Sequence, residues 1–169
     1  LLVPASGFRQ ARSEMTSRRE MQADGNVRSA EDLYMNGPEI FAFTLREIPR
    51  LIRSGLRAAN WTFDDVDGVV MHQANALILK HVAKRLKLPA EKVVMSLEPY
   101  GNTSSASIPL AISHALADRV ATAQQRLLLA GFGVGFSWAS AAVHLGPIVA
   151  PEVVFADQSS LPTREANVA

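Results

Sequence analysis

Apolar residues recur at helical spacing between positions 37 and 60. Ile40, Phe41, Phe43, Thr44, Ile48, Leu51, Ile52 and Leu56 share one face near the 3.6-residue period, which predicts an amphipathic helix. Asn36 or Gly37 can cap it, Pro38 suits its first turn, and Asn60 is a plausible end. Pro49 removes an interior hydrogen bond and predicts a kink. The pattern then changes to a short apolar run, Asp67-Gly68-Val69-Val70-Met71, which reads as a buried strand. Helical spacing returns from Asn75 to Leu86, with Leu77, Ile78, Val82 and Leu86 inward and Pro89 just past the end. Lys92 to Ser96 reads as a strand, and Pro99, Tyr100 and Gly101 as a loop. A helix then starts near Thr103 or Ser104. Its small residues Ser105, Ala106, Ser107 and Ala111 let it approach a neighbour closely. Arg126 to Ala130 is a second buried strand. Ser137 to His144 is another strand, reached through a glycine-rich turn.

Strands alternating with helices predict an α/β layered domain over 37–145. A parallel sheet buries its strands on both faces, which explains why Leu127 to Ala130 shows no polar alternation. Residues 1–36 mix arginines with acidic side chains at no sustained period. They predict a loop-rich segment that covers a missing half or a partner. Residues 146–169 carry Pro147, Pro151 and Pro162 and predict a tail outside the core, disordered beyond about Asp157.

Composition narrows the chemistry. A net charge of +1 points to no nucleic acid or membrane partner. With no cysteine, disulfides and thiolate metal sites are excluded, and no metal or cofactor is expected. No apolar run nears the roughly 20 residues of a membrane span, and no signal peptide is visible, so a cytoplasmic location fits best. The first residue is Leu1 rather than Met, which suggests a fragment or processed product.

Three polar or glycine-rich turns carry the chemistry. His72-Gln73-Ala74-Asn75 ends the first strand, Gly101-Asn102-Thr103-Ser104 precedes the small-residue helix, and Gly131-Phe132-Gly133-Val134-Gly135-Phe136 joins the last two strands. An imidazole and a carboxamide on converging loops can hold a carbonyl oxygen as it gains negative charge. The plain alternatives are a satisfied histidine at a strand end for His72 and an ordinary turn at Gly101-Asn102. His81, His114 and His144 lack any such context and suit surface or helix-end positions. A dinucleotide loop does not fit the glycine run, because Gly133-x-Gly135 needs a glycine at 138, which is Trp138.

Taken together, His72-Gln73-Ala74-Asn75, Tyr100 to Pro109 and Gly131 to Trp138 closely resemble the C-terminal half of 3-oxoacyl-acyl-carrier-protein synthase III, a family of thiolase-fold condensing enzymes. Gly37-Pro38-Glu39-Ile40-Phe41 resembles the family's helix start. The resemblance covers roughly Leu1 to Leu145. It implies a thiolase-like α-β-α-β-α layered fold of two similar halves, this chain being the second. It also implies a Cys-His-Asn triad whose cysteine lies in an absent N-terminal half. Acyl-CoA and malonyl-acyl-carrier protein would be the substrates of a decarboxylative condensation in fatty acid synthesis.

By resemblance, His72 and Asn102 are the catalytic donors, and the backbone N–H at Val134 belongs to the acyl oxyanion hole. His72 must then be neutral, with its tautomer fixed by a group the sequence does not name. Gly37, Phe41, Ala74 and Asn75 would bind pantetheine. Gln73, Leu77, Lys80, Lys84 and Arg85 would meet the acidic carrier protein, with Lys87 on the same face as Lys80 and Lys84. Four positions depart from the family pattern. Val134 and Ala139 replace glycines, Pro38 replaces a polar residue, and Leu77 stands where relatives carry a carrier-binding arginine. Partners implied are the N-terminal half, acyl carrier protein and a second copy of the complete enzyme. Two rivals stand beside this reading. One is a non-catalytic thiolase-like subunit, against which the two retained donors argue. The other is an acyltransferase or biosynthetic condensing enzyme on the same fold.

Overall fold

A computed structural model of the chain describes residues 1–154. The N-terminal segment holds α1 (Glu14–Ser17) and a hairpin of two-residue strands, β1 (Glu20–Met21) and β2 (Val27–Arg28). It is otherwise loop, tied back on itself by a bridge between Leu2 and Tyr34. The layered domain follows: α2 (Gly37–Ala58), β3 (Gly68–Met71), α3 (Ala76–Leu86), β4 (Val93–Val94), α4 (Leu97–Tyr100), α5 (Ser107–Ala115), α6 (Ala117–Thr122), β5 (Gln125–Gly133) and β6 (Ser137–Leu145).

The sheet order is β4-β3-β5-β6. β3 runs parallel to both β4 and β5, with Val69 opposite Val93 and Leu128. β6 returns antiparallel to β5 through the glycine turn, with Gly133 opposite Ser137. Alternate residues of β3 and β5 enter separate cores. Val69, Met71, Leu128, Ala130 and Phe132 pack with Ile48, Ile52, Leu79 and Val82 from α2 and α3. Val70 and Leu127 pack with Ala111, Leu116 and Val120 from α5 and α6. Both faces of the central strands are therefore covered, the physical reason their sequence is continuously apolar.

α2 lies directly on the sheet at Gly55. A Cβ there would come within 2.7 Å of Ser140 Oγ and 3.0 Å of Leu128 Cδ1, so glycine is needed for the approach. Asn36 caps α2 by accepting from the Glu39 N–H at 3.2 Å, and Pro38 occupies its first turn. The helix runs unbroken through the buried Pro49 and ends at Ala58.

Several expectations needed correction. Leu77 does not face inward; it is 56% exposed, and Leu79 takes the core position because α3 starts at Ala76 and its buried stripe is Ile78, Leu79, Val82 and Leu86. The strand at 92–96 shrinks to Val93–Val94, preceded by a 3-10 turn at Ala90–Lys92. Residues 97–100 form a helical turn rather than a loop. α6 had no counterpart in the expected order. The start of the tail is part of the fold: Ile148 N donates to Val120 O at 2.8 Å, and Ala150 packs on the second core. The expected disorder beyond Asp157 lies outside the described residues. No helix among the described residues is long and apolar enough to cross a membrane.

Candidate active site

The parallel arrangement of β3 and β5 sets the site. Their C-terminal ends lie side by side, and His72 leaves β3 with its N–H donating to Ala130 O of β5 at 2.8 Å. Ligand sites in open α/β sheets form at this end of the strands. A cleft of about 920 Å³ opens there. His72, Ala74 and Asn75 line it from the β3–α3 turn. Asn102, Ser104 and Ser107 line it from the approach to α5, and Gly133 and Val134 from the β5–β6 turn. The three motifs picked out along the chain therefore meet at one cavity.

His72 is half-buried. Its Nδ1 is 2.6 Å from Ser107 Oγ, and its ring meets Phe132 edge-on with centroids 5.4 Å apart. Burial lowers its pKa from the ordinary 6.5, because charging the ring costs hydration; a weaker pull from the Ser104 backbone opposes the shift. Among the described residues, no Asp, Glu, Lys or Arg side chain lines the cleft to restore the charge. The ring is therefore held neutral to lower pH than a free histidine.

This has a consequence for stability. The unfolded histidine takes up a proton near pH 6.5, whereas the folded one does so only at lower pH. The unfolded state binds more protons in that window, so stability falls as pH drops into it and recovers as pH rises above it. Melting wild type and His72→Gln between about pH 5 and pH 8 should show a smaller acid-side loss in the variant. An identical pH profile in both proteins would refute it.

Asn102 is exposed on the cleft wall. Its Oδ1 accepts from the Ser104 N–H at 2.9 Å, which closes a local turn and leaves the amide NH2 as the free donor. Val134, 52% exposed, sits in the turn between β5 and β6, where Gly135 has φ +142°. Phe136 and Trp138 flank the turn and pack on Phe43 of α2, with centroids 4.2 and 5.1 Å apart. This apolar brace fixes one wall of the cleft.

Other expected site residues fall differently. Ala74 and Asn75 line the cleft, but the Asn75 Oδ1 is engaged in capping α3, accepting from Ile78 N at 2.8 Å. Gly37 and Phe41 lie outside the lining; Phe41 packs edge-on against His81, and Ile40, Phe43 and Thr44 present α2 to the cleft instead. Lys80 and Lys84 are exposed on α3, Lys87 is exposed at its left-handed C-cap, and none of the three makes an ion pair among the described residues. Arg85 is also exposed, but its Nη1 donates to Leu45 O of α2 at 3.1 Å.

Gln73 is a correction. It is fully buried and cannot present its side chain to a carrier protein. Its Nε2 donates to Met71 O at 2.8 Å and Val94 O at 3.2 Å, and its Oε1 accepts from Ser96 N at 2.9 Å. The side chain laces the ends of β3 and β4 together beneath the site. Neither this role nor the Ser107 contact follows from the local sequence pattern. The only sequence signal was a polar residue adjoining an apolar strand, and a serine among small helix residues.

Comparison with known proteins bears on the family and the fold. Residues 56–145 match the family described as 3-Oxoacyl-[acyl-carrier-protein (ACP)] synthase III C terminal. The chain is 41% identical over 114 residues to beta-ketoacyl-[acyl-carrier-protein] synthase III of Prochlorococcus marinus, covering 68% of this chain and 34% of that protein. It is 44% identical over 106 residues to the Microcystis aeruginosa protein of the same name, covering 63% of this chain and 32% of that one. A crystal structure of 3-oxoacyl-(acyl-carrier protein) synthase from Burkholderia xenovorans superposes with a TM-score of 0.77 at 42% identity, covering 89% of this chain and 42% of the other. The chain thus spans about a third of the length of the curated relatives it matches.

Proposed function

The chain belongs to the 3-oxoacyl-[acyl-carrier-protein] synthase III family and carries the C-terminal half of its thiolase-like α/β fold; from that premise we propose that it supplies His72 and Asn102 to a condensing enzyme of fatty acid synthesis. The nucleophilic cysteine comes from an N-terminal half. That cysteine attacks acyl-CoA and releases coenzyme A, leaving an acyl thioester on the enzyme. Malonyl-acyl-carrier protein enters beside it. Its C–C bond to the carboxylate breaks, carbon dioxide leaves, and the electron pair moves onto the thioester oxygen as an enolate. The imidazole N–H and the Asn102 amide N–H donate to that oxygen, while the Val134 N–H serves the acyl oxyanion hole. The enolate carbon then attacks the acyl carbonyl and the cysteine leaves as thiolate.

The observation that carries this reading is the meeting of His72 and Asn102 at one cleft, the imidazole held neutral and the amide oriented with its NH2 free. A neutral donor strengthens its grip as the oxygen charges, without stabilising the malonyl carboxylate that must be lost. No metal or cofactor takes part in these steps. Exposed apolar side chains on residues 1–36, among them Phe8, Met15, Met21 and Met35, support a role for that segment against the N-terminal half or a second protomer. The complete enzyme is proposed as a cytoplasmic homodimer. The test is to mix this chain with a family N-terminal half and follow carbon dioxide release from malonyl thioester and the product formed. Release with a 3-oxoacyl product supports condensation. Transfer of acyl groups without release supports an acyltransferase instead, and neither supports a non-catalytic subunit.

Pantetheine would run past Ala74 and Asn75, and would meet Gly37 and Phe41 only beyond the cleft lining. The acidic carrier would dock on Lys80, Lys84 and Arg85 beside Leu77, an attraction that acts mainly on association. Lys80→Glu with Lys84→Glu should lower kcat/KM for malonyl-carrier protein roughly tenfold, the low end of what steering supplies. Turnover of malonyl-CoA should be unaffected, and equal effects on both substrates would remove the carrier from this face.

A further inference from the structure

We infer that the Ser107 hydroxyl is a positioning residue, donating its proton to His72 Nδ1 and so keeping the imidazole proton on Nε2. The inference rests on the catalytic reading of His72 and deepens it. Ser107 opens α5 and is 1% exposed, so its hydroxyl has no bulk water to satisfy it. Among the described residues its Oγ has two partners, His72 Nδ1 at 2.6 Å and the Gln73 N–H at 3.3 Å.

A hydroxyl has one proton and two lone pairs. The Gln73 N–H, a fixed backbone donor, occupies one lone pair. If Nδ1 also carried a proton, Oγ would accept from two N–H groups, and its own proton would be buried without an acceptor, an arrangement native interiors avoid. The imidazolium is disfavoured by the same count, since both its nitrogens donate. The arrangement that satisfies every group has Gln73 N–H donating to Oγ, Oγ–H donating to Nδ1, and the proton on Nε2. Nε2 then carries the proton that the catalytic reading needs as a donor, and the Ser104 backbone beside the ring favours a protonated nitrogen in the same way. The chain of Gln73 backbone in the β3–α3 turn, α5 hydroxyl and imidazole therefore sets the tautomer that the sequence left unassigned, in the way orienting partners of functional histidines act generally.

The test reads the tautomer directly. This chain, labelled with nitrogen-15 at histidine, is examined by two-bond proton–nitrogen correlation at a pH above the titration of the ring. Wild type should show His72 Nδ1 at the unprotonated position and Nε2 at the protonated one. Ser107→Ala should move Nδ1 toward the protonated position as the two tautomers mix, and Ser107→Thr, which keeps the hydroxyl, should restore the wild-type pattern. A protonated Nδ1 in wild type overturns the inference, as does a Ser107→Ala ring unchanged from wild type. The wild-type spectrum decides the first point whatever the variant's fold. Should Ser107→Ala unfold, Ser107→Cys, close in size with a far weaker donor, should shift Nδ1 in the same direction, and no shift overturns the inference. Because this readout needs no turnover, it is separable from the condensing activity. Loss of the tautomer effect with carbon dioxide release intact removes only Ser107, and the reverse removes only the reaction.

Discussion

Asn102→Asp in the reassembled enzyme should depress decarboxylation of malonyl thioester more than Asn102→Ala, although aspartate keeps the local fold better. The Oδ1 that accepts the Ser104 N–H is preserved in aspartate, so the turn survives. What changes is the second atom: an N–H that donates to the developing enolate becomes an oxygen that repels it. Alanine removes the donor alone. Loss of one such donor costs roughly 10²- to 10³-fold in rate, or about 2.7–4 kcal/mol of barrier, and His72→Ala is expected in the same range. The double alanine variant should be little worse than the worse single, because the two donors act on one oxygen as a unit. Carbon dioxide release under single-turnover conditions measures all four variants. An Asn102→Asp rate equal to wild type would show that the amide donor is not used. Thermal melting should show little change in Asn102→Asp, separating chemistry from fold.

The second large effect is expected beneath the site rather than in it. Gln73→Met fills much of the same volume but leaves three backbone groups without their partner: Met71 O, Val94 O and Ser96 N. Each buried polar group left unsatisfied costs about 1–3 kcal/mol. Relaxation of the short β4 end lets one of the three find another partner, so a loss of about 3 kcal/mol is expected. Urea denaturation measures it, and a loss below about 0.5 kcal/mol would mean the lacing contributes nothing net. Gln73→Glu should be worse, since a carboxylate cannot donate to Met71 O and Val94 O and carries a charge into a dry site. Because His72 is the adjoining residue, these variants should also lower the catalytic rate more than their stability alone explains.

The two effects arise in two of the three chemistry-bearing turns, at Asn102 and at Gln73, and they were not equally legible. His72, Asn102 and the glycine turn were legible only in combination: a strand-end histidine or a Gly-Asn turn has an ordinary structural use by itself, whereas three such turns in order carried the family resemblance. The long helices α2 and α3 and the central strands β3 and β5 were equally plain. An apolar stripe at a 3.6-residue period and continuous apolar runs each have few other uses. Leu77 was misplaced for the opposite reason. Leu77 lies two positions from Leu79 and next to Ile78, and only the start of α3 at Ala76, capped by Asn75, decides which of the two leucines turns inward.

Linear order thus determined the α/β class, the succession of main elements and the residue types that would carry the chemistry, because period and turn composition are local properties. The tertiary structure alone decided what those residues face. A glutamine reads the same whether it meets a carrier protein or three backbone groups, and the 73 position became a lace only when β3 and β4 were brought parallel. A serine in a small-residue helix became the partner of an imidazole 35 positions away only when α5 crossed the end of β3. Hydrogen bonds between distant segments depend on where folding places both partners, and no local pattern records that.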